Sequence, residues 1–348
     1  MFADERLLAG PSGPERSVEG AMLDFAPSQR LSSPTRLMPP NSRRRSLLAA
    51  LSATVGSTLA LPSGSARAQL KLDVPFAPTN FTLIDTMLRV ANVVPGDFVI
   101  DLGSGDGRIN IAAAREWGAP GIGYEIDPAL VRESIELARV AGVSGPVQFT
   151  EQNLFDADLS RATVVTLYLG VKVNLRVRPK LLSELRPGTR IVSHDFDLGD
   201  WKPDLHIRLR DYGSQVFFWW VPARIAGIWT ARLDLPGIGP RDHEIVLRQR
   251  FQDIDAEVKA DGAKVGLRDI RLAGDRLTFI MMEEVNRQFT FRRFFGRVVR
   301  GPGSTGNTIE GYFRTETEGR RSESPFRRTR ATVVEPGPEG AWTYVRGS

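Results

Sequence analysis

The residue pattern predicts an α/β protein with an all-β second part: a largely parallel sheet closed by an antiparallel hairpin, then a C-terminal antiparallel β barrel or sandwich. Three observations lead there. From Phe81 to His194, short apolar runs of strand length alternate with amphipathic runs of helical length. The next two runs, Leu205–Leu209 and Gln215–Val221, are separated only by the turn Asp211-Tyr212-Gly213, so they must pair antiparallel. Beyond residue 222 the helical period disappears, and strand-like runs are broken repeatedly by Gly, Pro or Asp.

Residues 1–68 read as a leader. Ser42-Arg43-Arg44-Arg45-Ser46-Leu47-Leu48 opens an apolar run to Leu61, diluted by Gly, Ser and Thr, that leads to Ala66-Arg67-Ala68. Basic, apolar and small-residue regions in that order describe a secretory signal over residues 38–68. The paired arginines and weak hydrophobicity resemble the twin-arginine type, which exports proteins already folded. The run is too short and too polar to span a membrane. The residues before Met38 are rich in Pro, Ser and Arg and carry no period, so translation is expected to begin at Met38. The implied location is the periplasm, or the cytoplasm if the leader does not function.

Composition narrows the function classes. The 348 residues are 41% hydrophobic and 25% charged, as expected of a soluble globular protein with room for two domains. The net charge of +5 is unevenly placed: residues 1–68 hold eight Arg, no Lys and five acids, and the remainder carries 38 basic against 36 acidic residues. A general phosphate-binding surface, and with it a nucleic-acid partner, is therefore not expected. Without cysteine there is no disulfide, thiol nucleophile or Cys-ligated metal. The three histidines, His194, His206 and His243, do not pair at metal-ligand spacing, so no metal is expected.

In the α/β part, residues 69–222, the first helix runs from Phe81 to Val90 and the first strand is Asp97–Leu102, bounded by Pro95-Gly96 and a glycine cluster. Ile109–Trp117 is helical and Gly121–Ile126 extended. Asp127 then caps a helix with Pro128 in its first turn, running to about Ala141. Strands follow at Val147–Thr150, Ala162–Leu169 and Thr189–His194, with a helix at Leu175–Leu185. Phe217-Phe218-Trp219-Trp220 is expected as strand core and hairpin edge. In the β part, residues 223–348, the expected strands are Gly227–Leu235, Glu244–Phe251, Ala256–Ala260, Lys264–Leu267, Arg276–Met282, Gln288–Val298 and Asn307–Arg314. The Arg-rich stretch 287–300 reads either as one amphipathic strand with a cationic face or as a contact for an anionic partner or membrane surface. From Arg320 onward the tail is expected to be loose.

The chemistry concentrates at strand ends. Asp101-Leu102-Gly103-Ser104-Gly105-Asp106-Gly107 links the first strand to a helix, and its glycines allow a tight turn with a ligand against bare backbone. A dinucleotide fingerprint needs a third glycine three residues after the second. Here that position is Arg108, so no pyrophosphate cradle is implied. The helix N-terminus suits a carboxylate, and Asp101 at the strand tip suits an ammonium. Glu125 lies 20 residues beyond Gly105, where an acid can accept both hydroxyls of a ribose, with Ile126 beside it. Asn153 follows the third strand, where an amide can bond an adenine amino group with Leu154 or Phe155 against the ring.

These residues resemble the S-adenosylmethionine (SAM)-dependent class I methyltransferases, whose sheet is Rossmann-like with seven strands. VIDLGSGDGRINIAAA (99–114) is similar to their first motif and GYEIDPALV (123–131) to their second; EQNLFDADL (151–159) and VVTLYL (164–169) fall where the third and fourth belong. DVPFAPTN (73–80) and LRPGTRIVSHDF (185–196) extend the resemblance to the branch containing the ATP synthase c-subunit lysine methyltransferase. Asn153 stands where many relatives carry Asp. The resemblance implies SAM as cofactor, held by Asp101, Gly103, Ser104, Gly105, Gly107, Glu125, Ile126, Asn153 and Leu154. It also implies methyl transfer to a protein side chain, most readily lysine.

No Asn-Pro-Pro-Tyr acceptor motif is present, and Leu167-Tyr168-Leu169 takes its place. Tyr168 either shapes an acceptor channel or is a core aromatic. His194 and Asp195 end the fifth strand, either to contact substrate and remove a proton or as a hydrogen-bonded strand-end pair. The partner is a protein, membrane-associated or not, or a small molecule. A non-catalytic SAM-binding scaffold with an exported β domain is the other reading. The opening Gly227-Ile228-Trp229 of the β part loosely resembles lipocalin-like barrels.

Overall fold

The computed structural model describes residues 75–285, 288–299, 308–316 and 340–347. The expected leader and the Met38 start lie outside the described residues.

Asn80 starts the first helix, α1 (Phe81–Val90), by accepting a hydrogen bond from the Leu83 amide at 2.8 Å, and the helix buries Leu83, Ile84, Met87 and Leu88. There follow β1 (Val99–Leu102), α2 (Arg108–Trp117), β2 (Gly121–Glu125), α3 (Pro128–Val140), β3 (Val147–Glu151), β4 (Val164–Leu167), α4 (Val171–Glu184), β5 (Arg190–His194), β6 (Leu205–Leu209) and β7 (Ser214–Trp220). Asp127 caps α3 as the sequence predicts, accepting from Ala129 N at 2.7 Å.

The seven strands form one sheet in the order β3-β2-β1-β4-β5-β7-β6. The first five are parallel, and β7 runs antiparallel to both neighbours. β1 and β4 are apolar or buried at every position because helices cover both faces. Ile100 and Leu102 pack toward Val177 and Leu181 of α4, while Val99 packs toward Met87 of α1 and Ala113 of α2. Between β1 and β4 the strand order reverses, which opens a crevice at the carboxyl ends of the strands.

Helix α4 starts four residues before the predicted Leu175. Its first turn is fastened by the Asn174 side chain, which donates to the carbonyls of Phe196 and Asp197 at 3.0 and 3.1 Å. No local pattern announces that tie.

The β part is a closed antiparallel barrel, which decides between barrel and sandwich. Its strands are β8 (Gly227–Leu235), β9 (Gly239–Arg250), β10 (Asp253–Ala260), β11 (Ala263–Ala273), β12 (Arg276–Val285), β13 (Gln288–Val299), β14 (Thr308–Glu316) and β15 (Gly340–Arg346). The interior is aromatic: Trp229, Phe279, Phe294, Phe313, Trp342 and Tyr344 are buried, and the Phe279 and Phe294 rings stack at 4.8 Å.

Two expectations need correction. β11 runs well beyond Leu267, but a bulge between Arg268 and Arg271 breaks its period. The tail is not loose throughout: β15 sends Trp342 and Tyr344 into the core and seams β14 to β8. The intervening residues 317–339 lie outside the described residues.

The barrel is fastened to the sheet through the β9–β10 turn. Phe251, at φ 55°, stacks on the buried Trp201 at 5.8 Å and packs against the sheet's core. Trp201 Nε1 donates to Gln252 Oε1 at 2.9 Å, and Asp200 receives both Arg178 of α4 and Arg250 of β9.

Candidate functional site

The glycine loop owes its shape to three left-handed residues, Gly103, Gly105 and Gly107, with φ of 75°, 57° and 78°. It is stapled to the end of β2. Gly103 and Ser104 amides donate to the Tyr124 carbonyl at 2.8 and 3.1 Å, and the Gly105 amide donates to Glu125 Oε2 at 2.9 Å. A side chain at Gly105 would strike the Phe76 ring at 2.5 Å, whereas one at Gly107 would strike Phe149 and Ser134. Gly105 therefore serves the open side of the loop and Gly107 its packing onto α3 and β3.

In front of this loop lies a cleft with a cavity volume of about 200 Å³. Eight of the nine proposed cofactor residues line it: Asp101, Gly103, Ser104, Gly105, Glu125, Ile126, Asn153 and Leu154. Gly107 does not. Tyr168 lines the same cleft from the end of β4.

The structure adds a second role to two of these residues. Glu125 Oε1 accepts from the Ile126 and Asp127 amides at 2.8 and 3.0 Å, so three backbone donors hold this carboxylate. A carboxylate offers about four acceptor positions, which leaves one for a ligand hydroxyl. Asn153 Oδ1 accepts from Phe155 N at 3.1 Å and caps a short turn.

Asp101 is buried beneath the loop and accepts from Thr166 Oγ1 at 2.6 Å. Burial pushes its carboxyl up to about 7. The Thr166 hydrogen bond works against that shift, while the charges of Glu125 and Asp106 add to it.

His194 and Asp195 sit one layer behind the cleft. The His194 ring is 4% exposed and stacks on Tyr168 with centroids 3.9 Å apart. Its Nδ1 lies 3.2 Å from Thr79 Oγ1 and its Nε2 lies 3.3 Å from the Asp195 carboxylate. Burial lowers the imidazole's proton affinity, opposed by Asp195. Asp195, at φ 59°, accepts from the Gln215 amide at 2.7 Å and so ties β5 to β7. Burial, then the Asp195 charge, raises the Tyr168 phenol above its ordinary value, so the hydroxyl stays protonated at neutral pH.

One wall of the cleft carries no residue assigned from the sequence: the strap Pro75-Phe76-Ala77-Pro78-Thr79. Arg108 anchors it, donating to the Thr79 carbonyl at 2.8 Å while its guanidinium grips Asp106. Two prolines just ahead of a helix cap were the available signal, because they stiffen an extended segment. Thr166 left no such signal.

The arrangement fits an adenosyl amino acid. Bare backbone of the glycine loop lines the cleft, with Asp101 for an ammonium. Glu125 stands at the position for a sugar, and Asn153, Leu154 and Phe155 form the far end. Among the described residues no cluster of His, Asp and Glu could hold a metal ion.

Known proteins with related sequences share this region. Residues 101–205 match the family described as the ANTKMT methyltransferase domain. A protein-lysine N-methyltransferase of Saccharolobus islandicus (strain REY15A) is 42% identical over 139 residues, covering 40% of this chain and 86% of that protein. The adenine nucleotide translocase lysine N-methyltransferase of Mus musculus is 35% identical over 169 residues, covering 46% of this chain and 73% of that protein. A solved RNA methyltransferase from Salinibacter ruber, in complex with S-adenosyl-L-homocysteine, is 50% identical with a TM-score of 0.42, covering 43% of this chain and 96% of that one. The family match ends before the barrel begins. With identity of this order across most of a relative's length, the chain belongs to the SAM-dependent methyltransferases, in the family of the ANTKMT methyltransferase domain.

Proposed function

We propose that this enzyme transfers the methyl group of SAM to the side-chain amine of a lysine in a protein. The observation that carries the reading is the acceptor end of the cleft: Tyr168 lines it, backed by a buried His194 whose ring is held by Thr79 and Asp195. SAM supplies a methyl already activated on a sulfonium, so the protein's main task is to hold a nucleophile in line with it. A protonated Tyr168 hydroxyl can orient an amine, and the stack behind it keeps the ring in place. A lysine reaches the cleft as an ammonium and must lose its proton before it attacks, which an apolar, partly buried channel promotes. His194 and Asp195 act through Tyr168 as positioning residues. The names of the curated relatives, lysine N-methyltransferases of proteins, favour the same acceptor.

The test is to incubate the full chain with methyl-labelled SAM and a membrane extract, then locate the label by mass spectrometry. Methylated lysine in a protein supports the reading. Label confined to RNA or to low-mass compounds removes it, and SAM binding without any transfer favours a scaffold. Tyr168→Phe keeps the stack and removes the hydroxyl. It should lower kcat about tenfold, the scale of one lost hydrogen bond, with SAM affinity unchanged.

We also infer that the leader directs export, on the strength of its basic, apolar and small-residue order. N-terminal sequencing of exported protein tests this, and an intact residue 1 would count against it.

A further inference from the structure

Thr79 is the last residue of the strap, and both its backbone and its side chain are held. Its carbonyl accepts from Arg108 Nη1 at 2.8 Å, and Arg108 in turn grips Asp106 of the glycine loop. The next residue, Asn80, caps α1, so the Thr79 hydroxyl has no capping duty. α1 packs Leu83 and Ile84 toward Val192 of β5 and Val216 of β7, which fixes where the strap ends. Thr79 is 4% exposed, and its Oγ1 lies 3.2 Å from His194 Nδ1.

The direction of that hydrogen bond follows from the other side of the ring. His194 Nε2 lies 3.3 Å from the Asp195 carboxylate and 3.5 Å from Ser214 Oγ. A carboxylate accepts only. The Ser214 hydroxyl donates to the Tyr212 carbonyl at 3.4 Å, which leaves its oxygen as an acceptor as well. Two acceptors facing Nε2 place the ring's proton there. Nδ1 is then a bare lone pair, and the Thr79 hydroxyl is its donor. Burial lowers the imidazole's proton affinity, opposed by the Asp195 charge, and so works against a second proton on the ring. Tyr168 stacks on this imidazole with centroids 3.9 Å apart. A ring that lost its Nδ1 partner could turn over about the Cβ–Cγ bond, exchanging each nitrogen for a carbon, and the phenol would shift with it.

We propose that Thr79 is a positioning residue for methyl transfer: its hydroxyl donates to Nδ1 of a His194 that carries its proton on Nε2, and so holds the ring against which Tyr168 is set. This role rests on Tyr168 orienting the acceptor amine, the function proposed for the cleft. The strap then serves both ends of the site. Arg108 ties it to the glycine loop on the cofactor side, and Thr79 carries that alignment to the acceptor side. Valine would fill the space of Thr79 without the donor, whereas serine would keep the donor and lose only a methyl.

Two measurements on the full chain test this. The first is imidazole nitrogen NMR of the ligand-free protein, with His194→Asn identifying the His194 signals. The parent should carry the proton on Nε2 and show an Nδ1 resonance moved upfield by an accepted hydrogen bond. Thr79→Val should lose that upfield shift, and Thr79→Ser should keep it. The second is the initial rate of label transfer from saturating methyl-labelled SAM to a membrane extract. Thr79→Val should lower it about fivefold, the scale of one hydrogen bond, with SAM affinity unchanged in calorimetry. Thr79→Ser should recover most of the lost rate. In a Tyr168→Phe background, Thr79→Val should add less than about twofold, because both changes act on one group. Thr86 donates to the Thr82 carbonyl within α1, so Thr86→Val should leave the rate unchanged. Thr79→Ala replaces Thr79→Val if the valine unfolds the chain. A proton on Nδ1 in the parent, an unaltered rate in Thr79→Val, or a loss that persists undiminished in the Tyr168→Phe background would overturn the proposal and leave the lysine reading standing. Tyr168→Phe at the parent rate, or a parent that transfers no label, would remove both.

Discussion

Glu125 at the mouth of the sheet and Glu283 inside the barrel are withdrawn from water to nearly the same degree, 8% and 6% exposed. Their charges are accommodated in opposite ways. Glu125 accepts from three backbone amides and keeps one edge toward a cavity. Glu283 has no hydrogen bond on either oxygen. It faces Arg292, His243 and Arg241 at 3.6, 3.8 and 4.0 Å inside an aromatic barrel. Backbone donors fix direction as well as charge, so the first carboxylate can present a defined edge to a ligand. Charges beyond hydrogen-bond distance neutralise without aiming, so the second serves the fold.

The largest effect that would break this contrast is expected at Glu283. Glu283→Ala removes the anion facing a buried guanidinium and should cost about 3–5 kcal/mol in denaturant unfolding, with SAM affinity in the surviving folded protein unchanged. A variant as stable as the parent would show that the barrel cluster has no structural role. Glu125→Ala is the reciprocal case. It should weaken SAM binding by about 1–3 kcal/mol in calorimetry, and Glu125→Gln should retain part of that affinity.

Asp101 sharpens the comparison through pH. Its folded value of about 7 stands above the ordinary 3.8, so the folded protein holds this proton more tightly than the unfolded chain. Between about pH 4 and 7 the ligand-free protein should therefore lose stability as pH rises. A cofactor ammonium selects the ionised form, so SAM affinity should climb toward a plateau above pH 7, by at most about tenfold per unit. Asp101→Asn should flatten both profiles, and an unchanged profile would separate Asp101 from the ammonium. The smallest effect belongs to the solvated ion pairs of β9 and β10: Arg248→Ala should leave the melting temperature unmoved.

Much of the sheet and the cofactor end of the cleft was legible in the chain. Alternating strand and helix periods, the cap at Asp127, and the glycines at 103, 105 and 107 are local signals, and local sterics enforce them. What stayed hidden depends on distant partners. The strap Pro75–Thr79 becomes a wall only because Arg108 holds it, and Asp101 acquires its proton affinity from burial and from the charges of Glu125 and Asp106, against the Thr166 hydrogen bond. β15 counts as a strand only because β8 and β14 wait for it across residues 317–339.

The sequence by itself determined the glycine bend at 103–107, the acid twenty positions on, and the family, because each rests on residue type at fixed local spacing. Only the tertiary structure decided that Glu125 staples the loop it was expected to serve, that Arg292 points into the barrel while Arg293 points out, and that His194 stands behind Tyr168 rather than in the cleft. Those outcomes depend on which side chains from remote strands share a face. Pairing register and packing set that arrangement, and no single stretch of chain encodes it.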